Sequence, residues 1–218
     1  MKIKICGLRR PENIMAVAAL QPDLMGFIFY PKSSRYVKPE AIAHVLPLLD
    51  ERITKVGVFV NAPTEEILIT AALLGLDALQ LHGSESPEQC RALRSAGYEV
   101  IKALPVRDAL PAAEIARYDG AVDALLFDTY TSAHGGSGRR FDAALLADAG
   151  LSVPYYIAGG MDAAAARDIL TTPPAGLLGL DFNSRLELMP GLKSIPAVRE
   201  VMRVVRPATV NAPLLMRA

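Results

Sequence analysis

Eight short apolar runs recur along the chain, and each is followed by turn residues and then by a longer segment with helical periodicity. Each run is too uniformly apolar for a strand with one face in water, as expected when parallel strands are covered on both faces. The runs therefore predict a buried parallel sheet. Its strands are expected at Ile3–Cys6, Met25–Phe29, Lys55–Val60, Ala78–Leu81, Val100–Ala103, Ala124–Phe127, Tyr155–Ala158 and Leu177–Leu180.

The segments between the runs begin with residues that favour helix starts. Proline lacks the N–H group that the first turn leaves unpaired, and an acid interacts favourably with the positive end of a helix. Gly75 and Gly97 follow two expected helix ends, where a left-handed residue is common. Proline with a nearby acid opens four segments, at Pro11-Glu12, Pro39-Glu40, Pro63-Thr64-Glu65-Glu66 and Pro87-Glu88.

Eight strand–helix units in about 200 residues predict an α/β fold of the (β/α)₈ TIM-barrel type, with a parallel eight-stranded barrel. An open doubly wound sheet typically has fewer strands and a glycine-rich dinucleotide turn after the first one. The nearest such sequence, Gly135-Gly136-Ser137-Gly138, follows the sixth run instead. We predict one barrel domain over residues 1–206, and a poorly ordered C-terminal tail over residues 207–218 because this segment has weak periodicity and two prolines.

The composition excludes several classes of protein. A hydrophobic fraction of 51% with 21% charged residues is typical of a folded chain rather than a disordered one. Lys and Arg number 23, as do Asp and Glu, so the broad positive field of a nucleic-acid-binding protein is missing. We therefore expect no nucleic-acid partner.

The cysteines and the N-terminus predict a cytoplasmic protein without membrane association. Cys6 and Cys90 are too few for a disulfide scaffold and are compatible with a reducing compartment. Cys90 falls within an expected helix and is predicted to be a core residue. The first apolar run is interrupted from Gly7 onwards, before a signal peptide could form, and no stretch approaches the ~20 apolar residues of a membrane span.

Polar residues stand at the expected C-terminal ends of the strands, where active sites of this barrel lie. Some of them could serve the fold rather than a site. Cys6 could be a small buried hydrophobe, and Arg35 could be a surface loop charge. Asp128 could cap a helix, but the next helix is expected a dozen residues later. The set comprises Cys6, Arg35, Asn61, Gln80, His82, Lys102, Asp128, Gly159, Gly160 and Asp181 to Ser184.

A phosphate site is predicted at the seventh and eighth strand ends. Gly159-Gly160 joins a strand to a helix, so backbone N–H groups can approach an anion closely. The loops after strands seven and eight are the usual phosphate site of these barrels, and Asn183-Ser184 follows the eighth strand. A metal site is not expected, because the chain has three histidines and His82 has no partner at helical spacing.

An ordered set of motifs spans about residues 2–203. The motifs are Lys4-Ile5-Cys6-Gly7-Leu8, Gly26-Phe27-Ile28-Phe29, Ser33-Ser34-Arg35-Tyr36-Val37, Val58-Phe59-Val60-Asn61, Gln80-Leu81-His82-Gly83, Leu126-Phe127-Asp128-Thr129, Gly135-Gly136-Ser137-Gly138 with Phe141-Asp142, Ala158-Gly159-Gly160 and Pro190-Gly191-Leu192-Lys193. Taken in order, they resemble the phosphoribosylanthranilate isomerase family. Two positions depart from the family pattern. Asn183-Ser184-Arg185 stands where the family commonly has Ser-Ser-Gly after an acid, and Ala143 stands where an aromatic commonly follows the acid at Asp142.

The resemblance implies an Amadori rearrangement of N-(5-phosphoribosyl)anthranilate to 1-(o-carboxyphenylamino)-1-deoxyribulose 5-phosphate, in tryptophan biosynthesis. Asp128 would be the general acid and Cys6 the general base, and the reaction would need no metal or organic cofactor. An acid in this role needs a raised pKa, and a basic cysteine needs a nearby positive charge or a helix N-terminus. We therefore expect both environments in the folded chain.

The resemblance also implies which residues bind the phosphorylated substrate. Arg35 would pair with the anthranilate carboxylate through its planar fork of donors. Gly159, Gly160, Asn183 and Ser184 would hold the phosphate. The remaining residues expected in the substrate site are Asp181, which would organise the phosphate end, Gln80 and His82.

Other functions on the same scaffold stay open, because a fold alone does not determine an activity. A related sugar-phosphate isomerase of histidine biosynthesis shares the reaction type, but typically has an acid at the position of Cys6. Ribulose-phosphate epimerases use metal-binding histidines, which this chain scarcely offers. A non-catalytic phosphosugar-binding barrel would lack the acid or the base. The chain is expected to be a monomer or a homodimer.

Overall fold

Eight parallel strands are hydrogen-bonded in chain order, and the last pairs with the first, so the sheet closes into a barrel. The computed structural model describes residues 1–129, 142–146 and 149–207. Each of the eight expected runs overlaps one strand to within a few residues at its ends, which confirms the predicted fold class. The strands are β1 (Lys2–Ile5), β2 (Leu24–Ile28), β3 (Thr54–Phe59), β4 (Ala78–Leu81), β5 (Glu99–Val106), β6 (Ala124–Thr129), β7 (Tyr155–Ile157) and β8 (Leu177–Phe182).

Helices follow the strands on the outside of the barrel, and their starts match the sequence signals. Proline occupies the first turn of α1, α2 and α4, and the Ser86 hydroxyl accepts a hydrogen bond from the Gln89 N–H at 3.3 Å. Gly75 ends α3 in the left-handed conformation, with φ of 57°. The helices are α1 (Pro11–Ala18), α2 (Pro39–Ile42), α3 (Thr64–Leu74), α4 (Pro87–Ser95), α5 (Ala112–Arg117), α6 (Ala163–Thr171) and α7 (Ile195–Val205).

A small hairpin follows β8 and was not expected from the sequence. After a 3₁₀ turn at Ser184–Leu186, strands β9 (Glu187–Met189) and β10 (Leu192–Lys193) pair antiparallel. The side chain of Asn13 in α1 joins β10 through both of its polar atoms: Nδ2 donates to the Lys193 carbonyl at 2.9 Å, and Oδ1 accepts from the Lys193 N–H at 2.8 Å. The hairpin is therefore anchored across the barrel end, next to the start of the chain.

Two apolar cores lie on the two faces of the sheet. The outer core lies between strands and helices and contains large side chains such as Phe27 and Phe127, which are fully buried. Burying one such side chain contributes about 1.5–3 kcal/mol relative to exposure. Cys90 lies in the same core, as predicted. The inner core fills the barrel with Leu24, Val56, Ala78, Ile101, Ala103, Ala124, Leu126, Tyr156 and Ala158.

Some predictions fall on residues that the structure does not describe. The glycine-rich segment Gly135–Gly138 with Phe141 lies outside the described residues, and so do residues 208–218 of the expected tail. The prediction that residues 1–206 form the only domain therefore stays a prediction. Within the described ranges, no helix combines the length and the apolar character that a membrane crossing requires.

Candidate active site

The inner face of the barrel changes from apolar to polar towards the C-terminal ends of the strands. Side chains alternate between the two faces of a strand, so Gln80 follows Ala78 and Asp128 follows Leu126 on the inner face. Lys4 and Asp181 meet across the β1–β8 junction, where they are register partners. The barrel thus gathers polar groups from four strands above its inner core.

The Cys6 thiol lies directly after β1 and is 3% exposed. Its backbone N–H donates to the Phe182 carbonyl at 2.9 Å, which continues the β1–β8 ladder. Gly26 on β2 leaves the space that the sulfur occupies, because a Cβ at this position would lie 2.7 Å from Cys6 Sγ. The local fold therefore fixes this thiol in one place.

A buried ion pair lies beside the thiol. Lys4 Nζ donates to Asp181 Oδ2 at 2.9 Å, and both side chains are buried. Burial lowers the pKa of Lys4, but Asp181 and Cys6 together outweigh it, and the net pKa is raised. Burial raises the pKa of Asp181, with Asp128 adding to the rise and Lys4 opposing it. Asp181 Oδ1 has no hydrogen-bond partner among the described residues.

The electrostatic environment of Cys6 has the cations that a basic cysteine needs, but burial outweighs them. Desolvation raises the pKa of the thiol, Asp181 adds to the rise, and Lys4 and Lys193 oppose it. The net pKa is above the ordinary value, opposite to the shift that the resemblance implied for a base. Sequence alone could place Lys4 two residues from Cys6, but the loss of solvent around the sulfur is a property of the closed barrel.

Asp128, His82 and Gln80 form a second group across the barrel end. The Asp128 and His82 side chains are 34% and 35% exposed, and His82 Nε2 lies 3.4 Å from Asp128 Oδ2. Gln80 is buried, and its Nε2 lies 2.8 Å from His82 Nδ1. The imidazole of His82 thus bridges the two side chains, with Nδ1 facing the Gln80 amide and Nε2 facing the carboxylate.

Two residues that were predicted at strand ends support a loop instead of joining the site. Lys102 points into the outer core, where Nζ contacts Glu85 Oε2 at 3.1 Å and donates to the carbonyls of Leu81 and Gly83. Asn61 Oδ1 accepts from the Ser84 N–H at 2.6 Å. Both residues hold the loop after β4, which carries His82. The sequence placed Asn61 correctly after β3, but Lys102 lies within β5, which continues to Val106. The sequence could not show on which face either residue lies.

The predicted phosphate end has a backbone suited to close approach. Gly159 and Gly160 have φ of 90° and 62°, in the left-handed region that favours glycine. A Cβ on Gly159 would collide with Thr129. Asp162 then caps α6 by accepting from the Ala165 N–H at 2.8 Å. Asn183 and Ser184 follow β8 at the same end of the barrel, and Asn183 Oδ1 accepts from Lys193 Nζ at 2.8 Å.

Arg35 lies at the edge of the same barrel end, in a contact that the sequence did not predict. Its guanidinium donates from Nε and Nη2 to the carboxylate of Glu187, which also contacts Lys193 Nζ at 2.8 Å. Pro190-Gly191 between Glu187 and Lys193 is a turn signal that could have indicated their proximity. No local pattern indicates that Arg35 joins them. Among the described residues, no group of three or more His, Cys, Asp and Glu is placed to hold a metal ion.

Comparison with known proteins decides the family. The family model described as N-(5'phosphoribosyl)anthranilate (PRA) isomerase matches residues 3–204. The chain belongs to this family. An N-(5'-phosphoribosyl)anthranilate isomerase of Parabacteroides distasonis is 41% identical over 212 residues, which cover 95% of each chain.

Solved structures agree with this family membership. The phosphoribosyl anthranilate isomerase of Thermotoga maritima superposes with a TM-score of 0.84 at 32% identity, covering 94% of this chain and 98% of that one. A phosphoribosyl anthranilate isomerase in complex with reduced 1-(o-carboxyphenylamino)-1-deoxyribulose 5-phosphate has a TM-score of 0.79 at 30% identity, with the same coverage. The predicted family resemblance is confirmed.

The two departures from the phosphoribosylanthranilate isomerase pattern have simple structural outcomes. Asn183 accepts from Lys193 through Oδ1, so its amide nitrogen is left to donate elsewhere. Ala143 opens a 3₁₀ turn, Ala143–Leu146, and packs partly buried against the outer core. Asp142 accepts from the Ala144 N–H at 3.0 Å and so stabilises this turn.

Proposed function

We propose that this chain isomerises N-(5'-phosphoribosyl)anthranilate to 1-(o-carboxyphenylamino)-1-deoxyribulose 5-phosphate, as an enzyme of tryptophan biosynthesis in the cytoplasm. The observation that carries the proposal is the pairing of a buried thiol, Cys6, with a half-exposed carboxyl, Asp128, at the C-terminal end of the barrel. Asp181 interacts electrostatically with both groups, since its carboxylate raises the pKa of Cys6 and Asp128 raises the pKa of Asp181. An acid and a base are the two groups that the rearrangement needs.

The reaction proceeds by transfers of protons alone. Asp128 gives a proton to the ring oxygen of the sugar as the C1–O bond breaks, and the amine lone pair forms the C1=N bond of an iminium. The Cys6 thiolate then removes the proton from C2. The C2–H electron pair forms the C1=C2 bond, and the π electrons of C1=N return to the nitrogen and neutralise it. The enaminol that results gains a proton at C1 and loses the proton of its C2 hydroxyl, which yields the ketone without loss of any atom.

Lys4 supplies the thiolate with its charge partner. A thiolate in this position would have little water around it, so a nearby cation is the main means of stabilising it. Lys4 is also paired with Asp181, which keeps the lysine charged and fixes its ammonium within the barrel. Asp181 therefore organises the site through Lys4.

His82 and Gln80 orient the acid. His82 Nε2 faces Asp128 Oδ2, so Oδ1 is left to carry the proton that reaches the ring oxygen. Gln80, buried and bonded to Nδ1, holds the imidazole in this orientation. Both residues thus line the substrate site, and act on the reaction through Asp128.

The remaining residues bind the two anionic ends of the substrate. Arg35 takes the anthranilate carboxylate, and the backbone around Gly159 and Gly160 takes the phosphate together with Asn183 and Ser184. The left-handed glycines and the N-terminus of α6 support this assignment, since N–H groups there can approach an anion closely. The chain acts as a monomer or a homodimer on this small phosphorylated substrate.

A fluorescence assay tests the function and the two catalytic residues. The substrate is generated in solution, and loss of anthranilate-type fluorescence is followed with wild type, Cys6→Ala and Asp128→Asn. Cys90→Ala is the matched control, because it removes the other buried thiol of the chain away from the site. We expect rapid loss with wild type and Cys90→Ala only. Loss with every variant would keep the function and refute the mechanism, and a folded wild type without activity would refute the function.

A further inference from the structure

Glu187 uses only one edge of the Arg35 guanidinium. Arg35 Nε donates to Glu187 Oε1 and Oε2 at 2.9 and 3.0 Å, and Nη2 donates to Oε2 at 2.7 Å. This bidentate contact occupies the Nε–Nη2 edge of the planar fork. The opposite edge, with Nη1, has no partner in this contact. Arg35 is 14% exposed, so that edge remains within reach of a small ligand.

Glu187 is itself held by groups other than Arg35. Its Oε1 accepts from Lys193 Nζ at 2.8 Å and from the Gly191 N–H at 3.0 Å, and the side chain is 4% exposed. Burial raises the pKa of Glu187, but Arg35 and Lys193 outweigh it and the net pKa is lowered. The carboxylate is therefore a fixed anion, and any movement away from Arg35 would leave a buried charge with fewer partners.

The network reaches the backbone next to Cys6. A Cβ on Gly7 would lie 2.8 Å from Arg35 Cδ and 2.6 Å from Asn183 Oδ1, so both side chains pack against the same face of this glycine. Lys193 links Asn183 to Glu187. One buried hydrogen-bonded network thus connects the expected carboxylate end of the site to the expected phosphate end.

We propose that Glu187 is the positioning residue for carboxylate recognition: it clamps Arg35 by the Nε edge and so presents the Nη1 edge to the carboxylate of an N-aryl substrate. This inference rests on the proposed function. The cluster of Arg35, Lys193 and Glu187 carries one net positive charge, which matches one carboxylate. If the substrate instead displaced Glu187, three hydrogen bonds from Arg35 would be lost and two carboxylates would compete for one guanidinium.

The test compares two substrates that differ only in the carboxylate. Wild type and Glu187→Gln are assayed with the anthranilate compound and with the aniline analogue, prepared from ribose 5-phosphate and aniline. We expect the ratio of kcat/KM values, anthranilate over aniline, to fall about tenfold in Glu187→Gln through KM, as for a weakened hydrogen bond to a charged group. Effects of the variant on Lys193 or on folding act on both substrates and leave the ratio unchanged.

Two further variants sharpen the result. Asp50→Asn is the matched control, since Asp50 makes the same bidentate contact with Arg52 on the exposed surface, and the ratio should stay at the wild-type value. Glu187→Asp keeps the charge and retracts it by one methylene, so it should give an intermediate ratio; it also carries the test if Glu187→Gln does not fold.

The possible outcomes separate this inference from the function. Equal losses with both substrates would overturn it, because they would mean that Glu187 serves only the fold. A higher ratio in Glu187→Gln would also overturn it and show that Glu187 competes with the substrate. A wild type that converts neither compound would refute the proposed function and the role of Glu187 with it.

Discussion

Replacing Lys4 by methionine removes the cation that faces Asp181 inside the barrel while keeping a side chain of similar length. Both partners are buried, so Asp181 would be left as an uncompensated charge. Breaking a buried pair by removing one partner costs about 3–5 kcal/mol of stability. For a chain of this size, 1 kcal/mol shifts Tm by about 2–4 °C, so we expect Tm to fall by about 6–20 °C.

The pH dependence of the Lys4→Met variant distinguishes a charge effect from a packing effect. Burial already raises the pKa of Asp181, and loss of Lys4 removes the largest opposing influence. A carboxyl with a raised pKa in the folded state binds its proton more tightly there, so folding gains stability as the pH falls. Lys4→Met should therefore recover part of its loss between neutral and mildly acidic pH.

Urea unfolding of four proteins at pH 7.5 and pH 5.5 measures these effects. The double variant Lys4→Met with Asp181→Leu should regain most of the lost stability, because no buried charge remains. Lys55→Met is the matched control: its pair with Asp77 is equally short but reaches solvent, with Lys55 18% and Asp77 47% exposed, and should contribute less than about 1 kcal/mol. A Lys4→Met variant as stable as wild type, or a double variant as unstable as the single one, would refute the reasoning.

Three further predictions follow from the site. Because burial raises the pKa of Cys6, the rate of its alkylation by iodoacetamide should still increase with pH where the rate of an ordinary thiol has levelled off. The Cys90→Ala variant should show the same pH dependence. A rate that levels off by neutral pH would contradict this prediction. Gly26→Ala brings a Cβ to 2.7 Å from Cys6 Sγ, so we expect kcat to fall at least about tenfold, with an overpacking cost of about 1–3 kcal/mol in urea unfolding. The pKa of Glu187 is lowered in the folded state, so its ionisation stabilises the fold at pH values above the unfolded-state pKa of about 4.3. This stabilisation is lost as the pH falls from that value through the folded-state pKa. The stability difference between wild type and Glu187→Gln should shrink across that range, and a constant difference would argue against an ionised Glu187.

The strands could be predicted from the sequence because apolar runs covered on both faces have a strong local signature. The ends of β5 and β8 were less predictable. β8 continues through Asp181, and an acid inside a barrel strand is stable only because Lys4 neutralises it from the first strand. β5 continues through Pro105 to Val106, where proline interrupts the expected pattern. In both cases a residue typical of a strand end is accommodated within the strand by the closed barrel.

The residues of the candidate site were predictable one by one, but their contacts were not. Strand ends indicate which residues reach the top of the barrel, and this placed Cys6, Asp128 and Arg35 in one region. The Arg35–Glu187 contact joins residues 152 positions apart through a hairpin with strands too short to show a period. The sign of the Cys6 pKa shift depends on the balance of burial against two lysines, which only the closed barrel determines.

The Lys4–Asp181 pair also determines at which stage of synthesis the site can form. Its two members are 177 positions apart and join the first strand to the last. A nascent chain that has not yet delivered β8 has the thiol of Cys6 without the carboxylate that anchors its neighbouring lysine, and without Lys193. The electrostatic environment of Cys6 is therefore assembled only at barrel closure, and a chain truncated before β8 lacks it.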